Sequence, residues 1–166
     1  MAIDDYVPDA NYVNAHALEI AAGAAAVWDA IPQALSATRP VAFLLGASAV
    51  VRGEGFRRPP RGTLVLREGE ELAGNGLMMV DRVEKGREVV LRGRHRYATY
   101  ATNVFLERSS NGTRAINVTR ARFRTDAAGR AYLAGVRLFH DRLIEGVLRR
   151  LAEHARSDRG SAGGRR

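Results

Sequence analysis

Residues Ala131–Ala155 read AYLAGVRLFHDRLIEGVLRRLAEHA, and this stretch decides the fold. Apolar side chains recur along it at intervals of three and four residues, which is the pattern of a helix face that packs on a core. The residues of this face are Val136, Phe139, Leu143, Ile144, Val147, Leu148 and Leu151. The pattern predicts an amphipathic helix about 37 Å long. Gly146 lies in the middle of this helix, where a glycine destabilises the helix by about 1 kcal/mol relative to alanine. A glycine at this position therefore predicts a close approach by a sheet or a ligand.

Five strand-like segments precede this helix. Each combines β-branched or aromatic residues with alternating polarity. The segments are Thr63–Glu70, Gly76–Val83, Glu88–Tyr97, Tyr100–Glu107 and Thr113–Arg124. A tight turn is predicted at Ala98-Thr99, and Asn111-Gly112 is a strong hairpin signal. Connections this short predict an antiparallel sheet.

A further strand and helix open the chain. Tyr12–Ile20 alternates in polarity like a strand, and Ala24–Leu35, which contains Trp28, has helical spacing. Pro32 is expected to kink or end that helix, and a second short helix is predicted at Arg39–Val51. We therefore predict an α+β fold: a curved antiparallel sheet of about six strands wrapped around a long C-terminal helix, with one or two short helices after the first strand. A sheet bent around a single helix tends to enclose a cavity, which indicates a small-molecule pocket.

Composition excludes several classes of site. The 166 residues include no cysteine, which excludes disulfides, thiolate catalysis and cysteine-ligated metals. The four histidines have no ligand spacing, so we predict no metal site, and no motif predicts a cofactor. The apolar stretch Ala21–Val27 is too short to cross a bilayer, and the cytoplasm is the expected compartment. One domain is predicted at residues 1–156, followed by a disordered basic tail at 157–166.

The formal net charge of +8 does not by itself indicate a nucleic-acid partner. Only Lys85 among the 26 basic residues is a lysine, a bias that is more typical of a GC-rich coding sequence than of phosphate contacts. Basic residues are not interleaved with aromatic ones, and no basic recognition helix is evident. We expect no nucleic-acid partner and no membrane span, and the sequence leaves a homodimer open.

The segment Glu88–Tyr97 carries the two candidate catalytic residues. Its arginines alternate with a less polar set, and because arginines prefer solvent, the other face is predicted to turn inward. That face carries His95 and Tyr97. A histidine is suited to acid–base catalysis near neutral pH, and a tyrosine hydroxyl is suited to orienting a carbonyl. The alternative is that both are hydrogen-bonded residues of the cavity wall.

Candidate ligand-binding residues come from several other segments. They are Phe43, Met79, Asn103, Asn117, Thr119, Phe123, Phe139 and Leu143. Those in Thr113–Arg124 share a face of small and polar residues that leaves room and hydrogen-bonding groups for a ligand. Asn103 points inward in one interpretation, but the opposite set, with Thr102 and Val104, is an equally good inward face. The apolar candidates either line a pocket or belong to the core, and His140 is predicted to be a boundary residue.

Three stretches carry a resemblance to a known family. They are NAHALEIAAGAAAVWDAI at Asn14–Ile31, MVDRVEKGREVVLRGRH at Met79–His95, and the closing helix within Arg130–Arg156. In these stretches the chain resembles the START-like superfamily, also called SRPBCC, which includes polyketide cyclases and dehydrases and lipid-transfer domains. The resemblance implies a helix-grip fold with a hydrophobic cavity between the sheet and the long helix. It does not imply one activity, because related members bind, transport or transform different ligands.

The leading hypothesis is a domain that binds a hydrophobic or aromatic small molecule between the sheet and the C-terminal helix. If the protein is an enzyme, the resemblance implies cyclase- or dehydrase-like chemistry, with His95 as the acid–base group and Tyr97 or Asn117 as the carbonyl anchor. One alternative is a non-catalytic carrier of a lipid or small molecule, or a regulatory binding protein. Another is an interaction module that uses its arginine-rich surface on an acidic partner.

Overall fold

The chain folds into one sheet with a long helix across it. The computed structural model describes residues 2–36, 64–73 and 77–162. The elements in chain order are a 3₁₀-helix at Ala2–Asp5, β1 (Tyr12–Ile20), α1 (Ala24–Ser36), β2 (Glu71–Ala73), β3 (Met78–Glu84), β4 (Glu88–His95), β5 (Ala98–Ser109), β6 (Gly112–Phe123) and α2 (Ala127–Ala162). No helix within these ranges is long and apolar enough to span a membrane.

The sheet is antiparallel throughout, with the strand order β1-β6-β5-β4-β3-β2. The first strand pairs with the last along its whole length, from Tyr12 opposite Ala121 to Ile20 opposite Thr113. The other strands follow one another as hairpin neighbours. The helix α2 contacts β1 and β6 and packs against α1. This arrangement confirms the predicted α+β helix-grip fold.

The main core lies on the inner face of the sheet, which is the face that α2 covers. It is formed where α1 and the C-terminal half of α2 pack on the strands. Trp28 and Ile31 of α1 meet Leu148 and Leu151 of α2 in this core, and all four are buried. Burial of one such side chain contributes about 1.5 to 3 kcal/mol. This contact holds one end of α2 against the sheet.

A second, smaller cluster covers part of the outer face. Ile3 and Val7 of the N-terminal segment pack on Ala101 of β5 and Val118 of β6. All four side chains are buried. The middle of the sheet is therefore covered on both sides, which explains why apolar residues occur on both faces of β5 and β6.

Two boundaries in the sheet differ from the sequence prediction. The predicted strand Thr63–Glu70 is not a strand over residues 64–70, and the edge strand β2 follows it instead. A turn occupies this place, in which Gly69 has a φ of +85° and Glu70 N–H bonds to the Arg67 carbonyl at 3.0 Å. The tight turn predicted at Ala98-Thr99 lies instead at residues 96–97, because Ala98 already pairs with His95 in the β4–β5 ladder.

The helix α1 continues through its proline. We expected Pro32 to kink or end this helix, but α1 extends to Ser36. A proline inside a helix costs about 3 kcal/mol. Ile31 and Leu35, on either side of it, are buried in the main core, and their burial offsets this cost. The second helix predicted at Arg39–Val51 lies outside the described residues.

The helix α2 is longer than predicted at both ends. It begins after Asp126, whose carboxylate accepts the Gly129 N–H at 2.8 Å and so caps the first turn. This backbone hydrogen bond lowers the pKa of Asp126. The helix continues to Ala162, into the segment 157–166 that the sequence predicts to be a disordered tail. The close approach by the sheet that was one alternative at Gly146 is wrong for the described residues, because none outside the neighbouring helix backbone lies within 4 Å of the position of an added Cβ.

Candidate functional site

A cavity lies between the inner face of the sheet and the N-terminal half of α2. Its volume is about 140 Å³. An apolar cavity of about 150 Å³ in another protein holds benzene, so this space has the size of one aromatic ring. The apolar part of its wall is formed by Leu77, Met78, Ala121, Phe123, Val136, Leu143 and Ile144. The remaining wall residues are Tyr12, His95, Tyr100, Thr102, Thr119, Tyr132 and His140.

The cavity exists because α1 covers only part of the inner face. The main core closes the sheet against the C-terminal half of α2, around Leu148 and Leu151. Toward the N-terminal half of α2, the sheet instead presents short side chains, including Thr102, Thr119 and Ala121. Short side chains below α2 leave a space that none of the described residues fills.

The floor of the cavity is a buried polar network. The hydroxyls of Thr102 and Thr119 lie 2.9 Å apart, and the Asn117 amide donates to the Thr102 hydroxyl at 2.9 Å. The same amide nitrogen lies 2.5 Å from the Asn103 carbonyl. Asn117 is buried below the floor and does not line the space itself. These groups satisfy one another, so the floor is rigid and has little hydrogen-bonding capacity left for a ligand.

One end of the cavity is an aromatic cluster. The Tyr97 and Tyr132 rings are stacked with their centroids 5.2 Å apart, and His95 meets Tyr132 edge to face at 4.9 Å. The Tyr100 hydroxyl donates to the Leu77 carbonyl. A Cβ at Gly93 would lie 2.6 Å from the Tyr100 hydroxyl oxygen, so a glycine is required under this ring. The strands β4 and β5 and the start of α2 together fix this end of the wall.

His95 is the polar group at that end. Its Nδ1 accepts the backbone N–H of Tyr97 at 3.2 Å. Burial lowers the pKa of His95 from 6.5 to about 4, so the ring is neutral near pH 7. Burial also raises the pKa of Tyr100 and of Tyr132 above that of free tyrosine, so both hydroxyls keep their protons. The aromatic end is therefore uncharged.

A second polar group lines the cavity from α2. His140 meets Tyr12 edge to face at 5.7 Å, and burial lowers the pKa of His140. The Nδ1 atom of His140 is buried and has no hydrogen-bond partner in the described chain. Beside it, Asp141 accepts a hydrogen bond from the Asn14 amide at 2.6 Å and lies 3.3 Å from the Nε2 of His16. His140 is half-buried, as predicted for a boundary residue, and its side chain also lines the cavity.

The structure brings five of the predicted site residues to the cavity or its edge. His95, Thr119, Phe123 and Leu143 line it, and Tyr97 lies beside it against His95. The inward faces predicted for β4 and β6 are thus the faces that the cavity uses. The sequence analysis does not identify Tyr12 and His140 as wall residues, although strand alternation puts Tyr12 on the same face of β1 as His16.

Three of the predicted ligand-binding residues lie away from the cavity. Asn103 is fully buried toward the outer face, where its side-chain NH₂ donates to the Glu88 carboxylate at 2.6 Å and its side-chain oxygen Oδ1 accepts the Val118 N–H at 2.9 Å. Met79 also faces outward, opposite Arg92 in the β3–β4 ladder. Phe139 is 58% exposed on α2. Asn117 lies below the cavity floor without lining the space, and Phe43 lies outside the described residues.

The alternation of inward- and outward-facing residues in β5 and β3 explains why Asn103 and Met79 lie away from the cavity. In β5 the inward set contains Thr102 and Val104, which was the alternative left open by the sequence. In β3 the register shifts between Val80 and Arg82, so Met78 and Val80 face inward before the shift and Val83 after it. A simple alternation along β3 therefore places Met79 on the wrong face.

Comparisons with known proteins identify the fold. No protein-family model matches the chain, and no curated protein matches it. Among solved structures, the Zhui aromatase/cyclase from Streptomyces sp. R1128 is similar over 93% of this chain and 99% of its own, with 16% identity and a TM-score of 0.54. The di-domain ARO/CYC StfQ from the steffimycin biosynthetic pathway is similar over 89% of this chain and 51% of its own, with 11% identity and a TM-score of 0.54. Protein NE0264 from Nitrosomonas europaea is similar over 92% of this chain and 99% of its own, with 12% identity and a TM-score of 0.53. At these identities the likeness concerns the fold alone.

Proposed function

We propose that the protein is a START-like helix-grip protein that binds a hydrophobic or aromatic small molecule in the cavity under α2. The observation that carries this proposal is a preformed, mainly apolar space of about 140 Å³ with a few polar groups at its ends. Small-molecule sites in proteins combine an apolar wall with a small number of placed polar groups. The likeness of the fold to two aromatase/cyclases supports the same class of ligand.

The wall favours an uncharged ligand. No carboxylate, lysine or arginine is among the described residues that line the cavity. His95 and His140 have lowered pKa values and are neutral near pH 7. A charged group placed here would lose its hydration without a partner of opposite charge, which is costly. A neutral ring is therefore the expected occupant.

The affinity expected for a simple ring is modest. An aromatic ring buries about 150 to 250 Å². At about 25 cal/mol per Å², this burial contributes about 5 kcal/mol. A free energy of that size corresponds to a dissociation constant of about 0.2 mM. A natural ligand with additional contacts would bind more tightly.

Substitution of one wall residue tests the proposal. Leu143 lines the cavity from α2, and Leu143→Trp fills part of the space with a larger ring. We expect toluene, titrated by calorimetry or ligand-observed NMR, to bind the wild-type protein and to bind Leu143→Trp at least about tenfold more weakly. The matched control is Leu138→Trp on the same helix, where the wild-type leucine is 70% exposed. Absence of toluene binding to the wild type, or equal loss in both variants, would contradict the proposal.

Polyketide cyclase- or dehydrase-like activity is the second candidate function. The named aromatase/cyclases with the same fold, together with an imidazole at the cavity wall, favour it. Asn117 is a poor carbonyl anchor, because its amide is already bonded to Thr102 and Asn103 below the floor. Tyr97 is beside the cavity rather than in its wall. These positions leave His95 as the polar group with which a substrate would interact at this end.

Native mass spectrometry of the purified protein distinguishes a carrier from an enzyme. A co-purified apolar ligand that is recovered unchanged after incubation supports a carrier. A model β-hydroxyketone that loses water to give the α,β-unsaturated ketone in the presence of the wild-type protein supports the enzyme. In the second case, His95→Ala should lose turnover at saturating substrate if His95 takes part in the reaction, and unchanged turnover at saturation would exclude that role.

A further inference from the structure

Most polar groups around the cavity already have hydrogen-bond partners. The hydroxyls of Thr102 and Thr119 bond to each other. The Tyr100 hydroxyl donates to the Leu77 carbonyl. The Tyr12 hydroxyl accepts from the Asn14 amide. Few groups in the wall are therefore left to recognise a polar atom of a ligand.

The backbone fixes the tautomer of His95. Its Nδ1 accepts the N–H of Tyr97, so this nitrogen carries a lone pair and no hydrogen. The turn that holds Tyr97 is anchored from the other side, because the Tyr97 carbonyl accepts the Arg124 N–H at 2.9 Å. The proton of the neutral imidazole is then on Nε2, which makes this atom a hydrogen-bond donor. The lowered pKa of His95 is consistent with a ring that stays neutral.

No described residue accepts a hydrogen bond from the donor atom of His95. Within the described residues, the only hydrogen bond of the His95 side chain is the one at Nδ1. Nε2 of His95 is not fully buried. By contrast, Nδ1 of His140 is fully buried and has no partner among the described residues. His95 lines both the cavity and a recess outside the β4–β5 turn. His95 Nε2–H is therefore an accessible donor, without a partner among the described residues, on a ring that lines the aromatic end of the cavity.

We propose that His95 is the specificity-determining residue of this cavity and that its Nε2–H donates a hydrogen bond to an acceptor oxygen of the ligand. The ligand class is then a neutral ring that carries a carbonyl or a similar acceptor, rather than a plain hydrocarbon or a ring whose polar atom is only a donor. This inference rests on the proposed function, because it requires a ligand in the cavity. It assigns to His95 the role of an anchor, which differs from the acid–base role that the sequence suggested.

A matched pair of ligands isolates this hydrogen bond. Acetophenone and α-methylstyrene have the same shape, but the first carries a carbonyl oxygen where the second carries a CH₂ group. The ketone is the more hydrophilic compound, so the two affinities for one protein are not directly comparable. The ratio of the two dissociation constants, compared between wild type and variant, removes the difference in hydration because it is common to both proteins.

Two substitutions of His95 separate its two nitrogens. In His95→Asn, the amide oxygen takes the place of Nδ1 and still accepts the Tyr97 N–H, but no donor extends to the place of Nε2. In His95→Gln, the longer side chain carries an N–H donor near the place of Nε2. A neutral hydrogen bond contributes about 0.5 to 1.5 kcal/mol. We therefore expect the preference for acetophenone over α-methylstyrene to fall about 2- to 10-fold in His95→Asn and to be retained in part in His95→Gln.

The outcomes distinguish failure of the inference from failure of the proposed function. If neither compound binds the wild-type protein, no ligand site exists and both ideas fail. If both bind and the ratio is the same in wild type and His95→Asn, the cavity stands and the role of His95 is refuted. A ¹⁵N NMR spectrum of the wild-type imidazole gives a test without any variant. We expect a protonated Nε2 whose resonance moves with acetophenone much more than with α-methylstyrene, and a proton on Nδ1 would overturn the inference.

Discussion

Acid should destabilise this protein through the buried imidazole of His95. Burial lowers the pKa of His95 from 6.5 to about 4 in the folded state. In the unfolded chain the ring regains its ordinary pKa, so the unfolded state binds a proton at a higher pH than the folded state does. Stability is then complete above about pH 6.5 and is lost as the pH falls toward 4.

The difference between the two pKa values sets the magnitude. Without screening, a difference of this size lowers the free energy of unfolding by about 3 kcal/mol once the pH is below both pKa values. About 2 kcal/mol of that would be lost by pH 5, since the unfolded ring is then almost fully protonated. The ring is partly accessible, and solvent screening reduces the effect, so we expect about 1 to 2 kcal/mol. His140, whose pKa is also lowered by burial, acts in the same direction.

Urea unfolding at pH 7.5 and at pH 5.0 measures this loss. The variant His95→Gln has no imidazole at this position, so the fall in its unfolding free energy between the two pH values should be smaller than that of the wild type by about 1 to 2 kcal/mol. The comparison concerns the change with pH, so any constant cost of the substitution cancels. Equal changes in the two proteins, or a wild type that is more stable at pH 5.0 than at pH 7.5, would refute the reasoning.

Three further predictions concern close packing at a glycine, a candidate ligand contact and a buried hydrogen bond. In Gly93→Ala, the new methyl group would collide with the Leu77 carbonyl and the Tyr100 hydroxyl, so we expect a loss of about 1 to 3 kcal/mol in urea unfolding. The matched Gly146→Ala on α2 meets no described atom within 4 Å and should gain up to about 1 kcal/mol; destabilisation by both would contradict the account. Phe139→Ala should leave toluene affinity unchanged, because Phe139 is 58% exposed, and a tenfold loss would show that this ring contacts the ligand. Asn103→Ala should cost about 2 to 4 kcal/mol in unfolding free energy by leaving the buried Glu88 without its amide partner, and a neutral result would show that the pair is unimportant.

The overall fold follows from the sequence because its strongest signals are periodic. The stretch around Leu143 to Leu151 has helical spacing, and β4 and β6 alternate arginines with small or apolar residues. These patterns predict both the long helix and the inward faces of the two strands. The signal at Asn111-Gly112 predicts the hairpin between the last two strands, although its turn lies at residues 110–111 and Gly112 already pairs with Ser109.

The details of the site follow less directly, for three physical reasons. The inward face of β5 is ambiguous in sequence because the N-terminal segment buries part of its outer face as well, and Asn103 is polar but bonded within that outer layer. The face of Met79 depends on a register shift in β3 that leaves no clear sequence signal. On α2, both Phe139 and His140 are within a few residues of the apolar face, and small differences in helical phase decide which of them turns to the sheet.

The central claim is that α2 crosses the inner face of the sheet without filling the space beneath it. A crystal structure of the protein soaked with bromobenzene tests this claim most directly, because the anomalous signal of bromine locates the ring. We expect a bromine peak between Thr119, Phe123 and Leu143. A saturated crystal with no peak in this space, or with bromine only on the outer surface, would contradict it.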